Sequence, residues 1–214
     1  MQERKLMELA EAAGNIAIVG HVRPDGDCVG SCLAVCNYIT EQYPEKTVDV
    51  YLETPPVKFS YLKQFERICS DPETGKQYDL CICLDSGDRE RLGKNVVYLD
   101  TAKTSICIDH HITNQGYAAA NFVKADASAT CEALYDFLDE EKISRDVAEC
   151  IYTGILHDTN VFKNSNTTER TMQVAGAMMA KASISPASST RASIRRPTCR
   201  TRSWAARCWR VYCS

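Results

Sequence analysis

The sequence contains no long apolar segment and no excess of basic charge. No apolar run approaches the roughly 18 to 20 residues that span a bilayer, and the start, MQERKLMELAEAAGNIAIVG, has no apolar core of signal-peptide length. The net charge of -3 excludes an overall basic field for nucleic acid, although it leaves room for a local basic groove. We therefore expect a cytoplasmic protein with no membrane contact, and 214 residues suffice for one domain or slightly more.

The sequence also lacks the cysteine spacing of a zinc or redox site. It has twelve cysteines, but none forms a C-x-x-C pair, and Cys81 and Cys83 are separated by a single residue. Half of the cysteines fall in apolar segments predicted to be buried: Cys28, Cys32, Cys36, Cys81, Cys83 and Cys107. We expect buried thiols that pack in the core, and no disulfide framework.

Short apolar runs alternate along the chain with segments of helical periodicity. The predicted strands are NIAIVG, TVDVYLE, YDLCICLDSGD and KTSICIDHH. The predicted helices are residues 2–13, CVGSCLAVCNYITEQY, SATCEALYDFLDEEK with a Ser/Thr cap at its start, and SRDVAECIYTGILHDT. This alternation predicts an α/β fold, a mostly parallel sheet flanked by helices, in which ligands gather beyond the carboxyl ends of the strands.

Histidine is scarce, and acidic residues accompany each of the four histidines where predicted elements end. The stretch GHVRPDGDCVGS follows the first strand, and three further groups follow later strands and the last helix. The candidate metal ligands are His21, Asp25, Asp27, Asp85, Asp109, His110, His111 and Asp158. Any one of these aspartates taken alone is more typical of a turn or helix cap, and adjacent histidines also occur on surface loops. Their joint placement at the ends of elements favours a shared site.

A set of carboxylates and imidazoles without cysteine suits Mn²⁺ or Mg²⁺ better than structural zinc. Seven or eight ligating groups are too many for one ion. Two ions about 3.5 to 4 Å apart, bridged by a carboxylate, clamp the attacking and leaving oxygens of a phosphoryl displacement and lower the pKa of a water between them. The residues therefore predict a hydrolase that acts on phosphoesters.

Four motifs, HVRPDGDCVGS, LDSGD, IDHH and GILHDTNVF, resemble in order and spacing those of the DHH phosphoesterase superfamily. ASATCEALY is similar to the segment that follows the DHH triplet in the bacterial branch of nanoRNases (oligoribonucleases) and pAp phosphatases. The resemblance covers about residues 1–181. It implies a parallel-sheet catalytic domain, the DHH domain, that holds two Mn²⁺ ions, with Mg²⁺ as the alternative.

The resemblance also implies a role for each candidate residue. One ion would be held by His21, Asp25 and Asp85, and the other by Asp27, Asp85, His110 and Asp158. Asp85 would bridge the ions and so take part in catalysis, Asp109 would support the ligand shell, and His111 would stabilise charge on the substrate phosphate. Ser31 is expected to cap or pack its helix, and His157 has no role in the family pattern and is expected to be an ordinary helix residue.

The family predicts short RNA oligonucleotides and adenosine 3′,5′-bisphosphate as substrates, each hydrolysed to mononucleotides. The metal loops themselves do not separate these from cyclic dinucleotides, pGpG, longer single strands or pyrophosphate, and only the SATCE segment favours the nanoRNase branch. Relatives often pair through this domain, so a homodimer is an allowed assembly. A metal-binding remnant without catalytic activity is the alternative from another class.

The sequence changes character after Lys181. Residues 182–214 carry seven arginines and no acidic residue, with no helical or strand period, where the family continues into a linker and a second, DHH-associated domain. A shifted reading frame after MMAK can be translated back into an amphipathic, family-like segment, so we expect 1–181 to be the catalytic domain and 182–214 an out-of-frame, disordered tail. Loss of the second domain would impair activity. The alternative is a basic tail that binds nucleic acid.

Overall fold

Six parallel strands form a single sheet in the computed structural model, which describes residues 5–73 and 75–183. The strands are β1 (Asn15–Val19), β2 (Thr47–Tyr51), β3 (Ile68–Cys69), β4 (Leu80–Leu84), β5 (Thr104–Asp109) and β6 (Ala120–Val123). Their spatial order is β3-β2-β1-β4-β5-β6, and every neighbouring pair is parallel. The predicted α/β fold with a parallel sheet is confirmed.

Helices cover this sheet. They are α1 (Lys5–Ala12), α2 (Gly26–Gln42), α3 (Val96–Thr101), α4 (Thr130–Leu134), α5 (Arg145–Asp158) and α6 (Glu169–Ser183). Short 3-10 turns lie at Val57–Phe59, Phe65–Arg67, Glu90–Asn95, Tyr135–Phe137 and Glu140–Lys142. No helix in the described part of the chain is both long and apolar enough to cross a membrane.

The chain runs outward in both directions from the centre of the sheet. β1 has β2 on one side and β4 on the other, so the strand order reverses between β1 and β4. At such a reversal the loops after the two strands turn away from each other and leave a crevice beyond the carboxyl ends. The loops after β1, β4 and β5 all open at this edge.

The sheet is buried on both faces, which explains the uninterrupted apolar runs of its central strands. All five residues of β4 are buried, and two apolar clusters lie on opposite faces. The larger cluster lies under α2 and α5, which pack against each other. Gly154 makes this approach feasible, because a Cβ there would overlap Cys131 Sγ and lie 2.5 Å from Asp27 Oδ1.

The predicted helix SATCEALYDFLDEEK is wrong in extent and in its cap. α4 ends at Leu134, a 3-10 turn follows, and Leu138 is extended so that Phe137 and Leu138 are both buried. The N-cap residue is Ala129, whose side chain cannot accept a hydrogen bond. A carboxylate from elsewhere in the chain takes the place of the predicted Ser/Thr cap, as described below.

Two strands were missed by the sequence analysis, and the prediction of buried thiols is confirmed for the described residues. β3 and β6 were not predicted, because they are short edge strands with no fully buried residue. Nine cysteines lie in the described ranges, all of them free and eight of them buried, as expected. α6 runs through Ser183, two residues beyond the predicted boundary. The interpretation of residues 184–214 as an out-of-frame tail falls outside the described residues, and the domain boundary stays a prediction.

Candidate metal centre

All eight predicted ligand or support residues meet at the carboxyl edge of the sheet, around the crevice between β1 and β4. The loop after β1 supplies His21 and Asp25, and Asp27 lies in the first turn of α2. Asp85 follows β4, Asp109 ends β5, and both histidines of the DHH triplet come directly after it. Asp158 is the last residue of α5, the helix that crosses α2.

The first group of donor atoms surrounds His21. Its Nδ1–H donates to the Val22 carbonyl (2.8 Å), which leaves Nε2 to face the crevice. Nε2 lies 3.4 Å from Asp85 Oδ2 and 3.9 Å from Asp25 Oδ1. Asp25 is fixed as the N-cap of α2, since its Oδ1 accepts from the backbone N–H groups of Asp27 and Cys28. The helix start thus places an acidic group beside the imidazole.

The second group surrounds His110. Its Nδ1–H donates to the Ala127 carbonyl (3.3 Å), and its Nε2 lies 3.2 Å from Asp158 Oδ2, 3.6 Å from Asp85 Oδ1 and 4.0 Å from Asp27 Oδ2. Both ligand-type histidines therefore present Nε2 and hold Nδ1 on a backbone carbonyl, which is the usual arrangement of metal-binding imidazoles.

Asp85 links the two groups. Its Oδ2 faces His21 and its Oδ1 faces His110, so one carboxylate contacts both sets of donors. The residue has a positive φ of 55°, a left-handed conformation that costs energy for a residue other than glycine. The Thr130 hydroxyl donates to Oδ1 (3.0 Å) and holds the side chain in this position.

Asp27 is the carboxylate that caps α4. The backbone N–H of Thr130 donates to its Oδ2 (2.6 Å) and that of Cys131 to its Oδ1 (3.0 Å), across more than a hundred residues of sequence. Two N–H groups in the first turn of α4 are therefore hydrogen-bonded without a cap from a neighbouring residue. The same segment, through its N–H groups and the Thr130 hydroxyl, orients both Asp27 and Asp85.

Asp109 and His111 form a separate pair beside the two groups. Asp109 Oδ1 accepts from His111 Nδ1 (2.7 Å) and its Oδ2 from Asn114 Nδ2 (2.7 Å). Burial alone would raise the pKa of Asp109, but these hydrogen bonds outweigh it and hold the pKa below its ordinary value. The Arg91 guanidinium lies 3.4 Å from His111 Nε2. The ring of His111 is the more exposed of the adjacent pair, at 30% against 16% for His110.

The electrostatics of the cluster favour a cation. Burial and then the carboxylates of Asp85 and Asp158 raise the pKa of Asp27 well above its ordinary value, because like charges are packed together out of water. Burial by itself would lower the pKa of His110, but Asp158, Asp27 and Asp85 raise it to about 10. A divalent ion among these oxygens and nitrogens would neutralise the negative charge of the carboxylates, which bound protons otherwise neutralise.

Oxygen and imidazole nitrogen are the donors that hard and borderline divalent ions prefer, so the residues fit such ions. Cys28 also lies near His21 and Asp85, with donor atoms within 4.8 Å. Burial raises the pKa of its thiol well above the ordinary value, which disfavours the thiolate that metals require. The donor set is therefore made of carboxylates and imidazoles.

Several residues of the site were not predicted from the sequence. Thr130 and Asn114 support the acidic groups, and Arg91 contacts His111. Thr130 lies in the quoted ASATCEALY segment, which carried no role for it, and the other two lie outside the motifs. Ser31, in contrast, bonds its own helix through Cys28 O (3.1 Å), in line with a packing role. His157 lies on α5 as predicted, but its ring points to the site, with Nδ1 3.8 Å from Asp25 Oδ2 and 3.7 Å from Asp158 Oδ1. Its position next to Asp158 was the available signal.

Parallel strands with a carboxylate–imidazole cluster at the reversal of strand order define a class of α/β domains built to hold divalent cations. Within that class the chain belongs to the DHH family, since the family model described as "DHH family, N-terminal domain" matches residues 15–155.

Named relatives agree with this membership. The chain is 33% identical over 164 residues to the bifunctional oligoribonuclease and PAP phosphatase NrnA of Bacillus subtilis, covering 74% of this chain and 50% of the relative. It is 29% identical over 179 residues to the protein of the same name from Thermus thermophilus, covering 82% of this chain and 53% of the relative. The chain thus spans about half the length of the curated relatives it matches.

A solved structure shares the fold. An exopolyphosphatase-related protein from Bacteroides fragilis superposes with a TM-score of 0.76 at 24% sequence identity, over 84% of this chain and 56% of that one. At this identity the likeness concerns the fold alone.

Proposed function

We propose that this chain is the catalytic domain of a metal-dependent phosphoesterase that hydrolyses short RNA oligonucleotides and adenosine 3′,5′-bisphosphate to mononucleotides. The observation that carries the proposal is the position of Asp85, whose two oxygens face two different groups of histidine and aspartate donors. The choice of substrate rests on the relatives named as oligoribonuclease and PAP phosphatase. The expected cellular location and the homodimer stay predictions.

The two groups of donors would hold two Mn²⁺ ions, with Mg²⁺ as the alternative. His21, Asp25 and Asp85 would hold one ion, and Asp27, Asp85, His110 and Asp158 the other. When bound, such a pair lowers the pKa of a nucleophilic water and neutralises charge on the phosphoryl oxygens. The backbone carbonyls of Val22 and Ala127 fix the histidine rings so that Nε2 is presented.

His111 and Asp109 would act on the substrate. Nδ1–H of His111 is bound to the Asp109 carboxylate, and the side chain is 30% exposed, so it is accessible to a substrate phosphate. Asn114 keeps Asp109 in place from the other side. The nearby Arg91 guanidinium adds positive charge where charge develops on the phosphoryl oxygens.

Hydrolysis by the purified chain tests the proposal. We expect only weak Mn²⁺-dependent release of AMP from adenosine 3′,5′-bisphosphate and weak shortening of a five-nucleotide RNA, both abolished by EDTA, because the predicted loss of the second domain would impair activity. Asp85→Asn should reduce turnover by more than about 100-fold, because an amide replaces the shared carboxylate. Asp71→Asn, at an 83% exposed side chain, is the matched control and should leave turnover unchanged.

The substrate panel also includes pGpG and cyclic dinucleotides. Faster hydrolysis of these than of adenosine 3′,5′-bisphosphate would replace the proposed substrate class. Full activity of Asp85→Asn, or no binding of Mn²⁺, would overturn the proposal. Bound Mn²⁺ without hydrolysis of any substrate would favour the non-catalytic metal-binding alternative.

A further inference from the structure

A third group of donor atoms lies beside the two already described. His157 Nδ1 is 3.8 Å from Asp25 Oδ2 and 3.7 Å from Asp158 Oδ1. Two donors that share one divalent ion, each about 2.0 to 2.3 Å from it, lie about 3 to 4 Å apart. The spacing of these three atoms is that of shared ligands.

The ring of His157 is held in this orientation by packing. A Cβ added at Gly26 would lie 2.6 Å from both Cβ and Cγ of His157, so the glycine backbone contacts the ring directly. The Phe59 ring packs edge-on against the imidazole, with centroids 6.0 Å apart. Neighbours on α2 and in the Val57–Phe59 turn thus direct Nδ1 to the two carboxylates.

The carboxylate oxygens that face His157 are not the ones that face His21 and His110. Asp25 turns Oδ1 to His21 and Oδ2 to His157, while Asp158 turns Oδ2 to His110 and Oδ1 to His157. Asp85 divides its oxygens between His21 and His110 in the same way. Three aspartates therefore each join two of the three imidazoles, and the three groups of donors form a closed triangle.

We propose that Asp25, His157 and Asp158 form a third divalent-cation site, joined to the other two through Asp25 and Asp158. The site rests on the proposed function in that it shares these two carboxylates with the paired ions. It is the most open of the three, since the side chains of Asp25 and His157 are 40% and 26% exposed against 3% for Asp85. An ion there exchanges readily and can enter together with an anionic substrate.

Charge explains what the third ion would do. The cluster holds five carboxylates, from Asp25, Asp27, Asp85, Asp109 and Asp158, and two divalent ions with the Arg91 guanidinium only balance their charge. A site without net positive charge gives a phosphate little net attraction. A third divalent ion makes the site positive, and its open ligand positions suit the oxygens of a phosphomonoester. The third site would therefore bind most tightly when phosphate is present.

The test counts bound Mn²⁺ in the full chain by electron paramagnetic resonance, which detects the free aquo ion, with calorimetry for affinities. The probes are Mn²⁺ alone and Mn²⁺ with inorganic phosphate. We expect three ions per chain, one of them weaker and strengthened by phosphate. His157→Phe keeps a ring against Gly26 but has no donor, and should bind two. His157→Asn places an amide near the Nδ1 position and should keep three, with the third about 10-fold weaker or more.

The outcomes separate this proposal from the proposed function. Two ions in the unmodified chain at millimolar Mn²⁺ with phosphate, or three in His157→Phe, would overturn the third site alone. No bound Mn²⁺ in the unmodified chain would overturn both. Circular dichroism checks that each variant folds. If His157→Phe does not fold, His157→Gln, whose amide group lies near the Nε2 position, takes its place and should also bind two.

Discussion

At the residue scale, His111 is proposed to contact the substrate phosphate and not to bind a metal ion. Its Nδ1 lies 2.7 Å from Asp109 Oδ1 and 3.8 Å from Asp85 Oδ1, so its strong partner is the supporting carboxylate. We expect His111→Asn to lower kcat by about 10²- to 10³-fold, because the imidazole that links the Asp109 carboxylate to the Arg91 guanidinium at the site is removed.

Metal binding is the readout that isolates this role. Calorimetric affinity for Mn²⁺ should change by only a few-fold in His111→Asn, whereas Asp85→Asn should lose affinity strongly. A His111→Asn protein that loses Mn²⁺ as completely as Asp85→Asn would show that His111 is a ligand rather than a substrate contact.

A second residue-scale prediction concerns Asp79, whose side chain contacts residues at the starts of β1 and β5 from its position before β4. Its Oδ2 accepts from the N–H groups of Gly14 and Asn15 (2.9 and 3.1 Å), and its Oδ1 pairs with Lys103 (2.7 Å). The Lys103 ammonium and then these backbone donors lower the pKa of Asp79 from 3.8 to about 2. A carboxyl group whose pKa is lower in the folded state stabilises the fold at pH values above its unfolded-state pKa. That stabilisation is lost as the pH falls through the folded-state pKa.

The variant Asp79→Asn should therefore be less stable than the unmodified chain at neutral pH. The difference should shrink below about pH 4 and vanish near pH 2. Urea unfolding at pH 7, 4 and 2.5, with Mn²⁺ removed, measures it. A difference that is constant across this range would contradict the assignment of the stabilisation to the carboxylate.

At the scale of elements, the crossing of α2 and α5 depends on the absence of a side chain at residue 154. A methyl group there would overlap Cys131 Sγ and press on Asp27 Oδ1. We expect Gly154→Ala to lower the free energy of unfolding by about 2 kcal/mol, as overpacking of a dense core does. It should also weaken Mn²⁺ binding, since Asp27 is displaced.

The same substitution in α6 is the matched control. A Cβ at Gly176 would have no heavy atom within 4 Å, so Gly176→Ala should raise the free energy of unfolding by about 0.5 to 1 kcal/mol through helix propensity. Chemical denaturation of both variants gives the comparison. Equal effects at the two positions would show that packing at Gly154 does not limit the approach of α5.

The elements also show what the sequence could predict. The metal loops were predictable because Asp85 directly follows one apolar strand and Asp109 ends another, and an alternating chain places those ends at one edge. β3 and β6 could not be predicted, since half-exposed edge strands of two and four residues leave no apolar run. α4 has no local cap because its first N–H groups bind Asp27, 103 and 104 residues earlier. A contact of that range leaves no trace in local periodicity.

At the scale of the whole molecule, divalent ions should connect parts of the chain that are distant in sequence. The donors come from β1, β4, β5, α2 and α5, so bound ions link most of the fold. Saturation at about 100 times Kd stabilises a protein by about 2.7 kcal/mol per site, which raises the Tm of a domain this size by about 5 to 10 °C.

Thermal unfolding with Mn²⁺, Mg²⁺ and EDTA checks this prediction. We expect Mn²⁺ to raise the Tm, EDTA to reverse the rise, and Asp85→Asn to respond to neither. An equal rise in Asp85→Asn would mean that the ions stabilise the chain somewhere else.

The last donor of the cluster, Asp158, lies at the end of α5, far along the chain from His21. A ribosome adds about 5 to 20 residues each second, so the early donors leave the exit tunnel roughly ten seconds before Asp158 does. During that interval the acidic loops are already made but have no complete partner set. Capture of the ions is thus among the final events in the maturation of the nascent polypeptide.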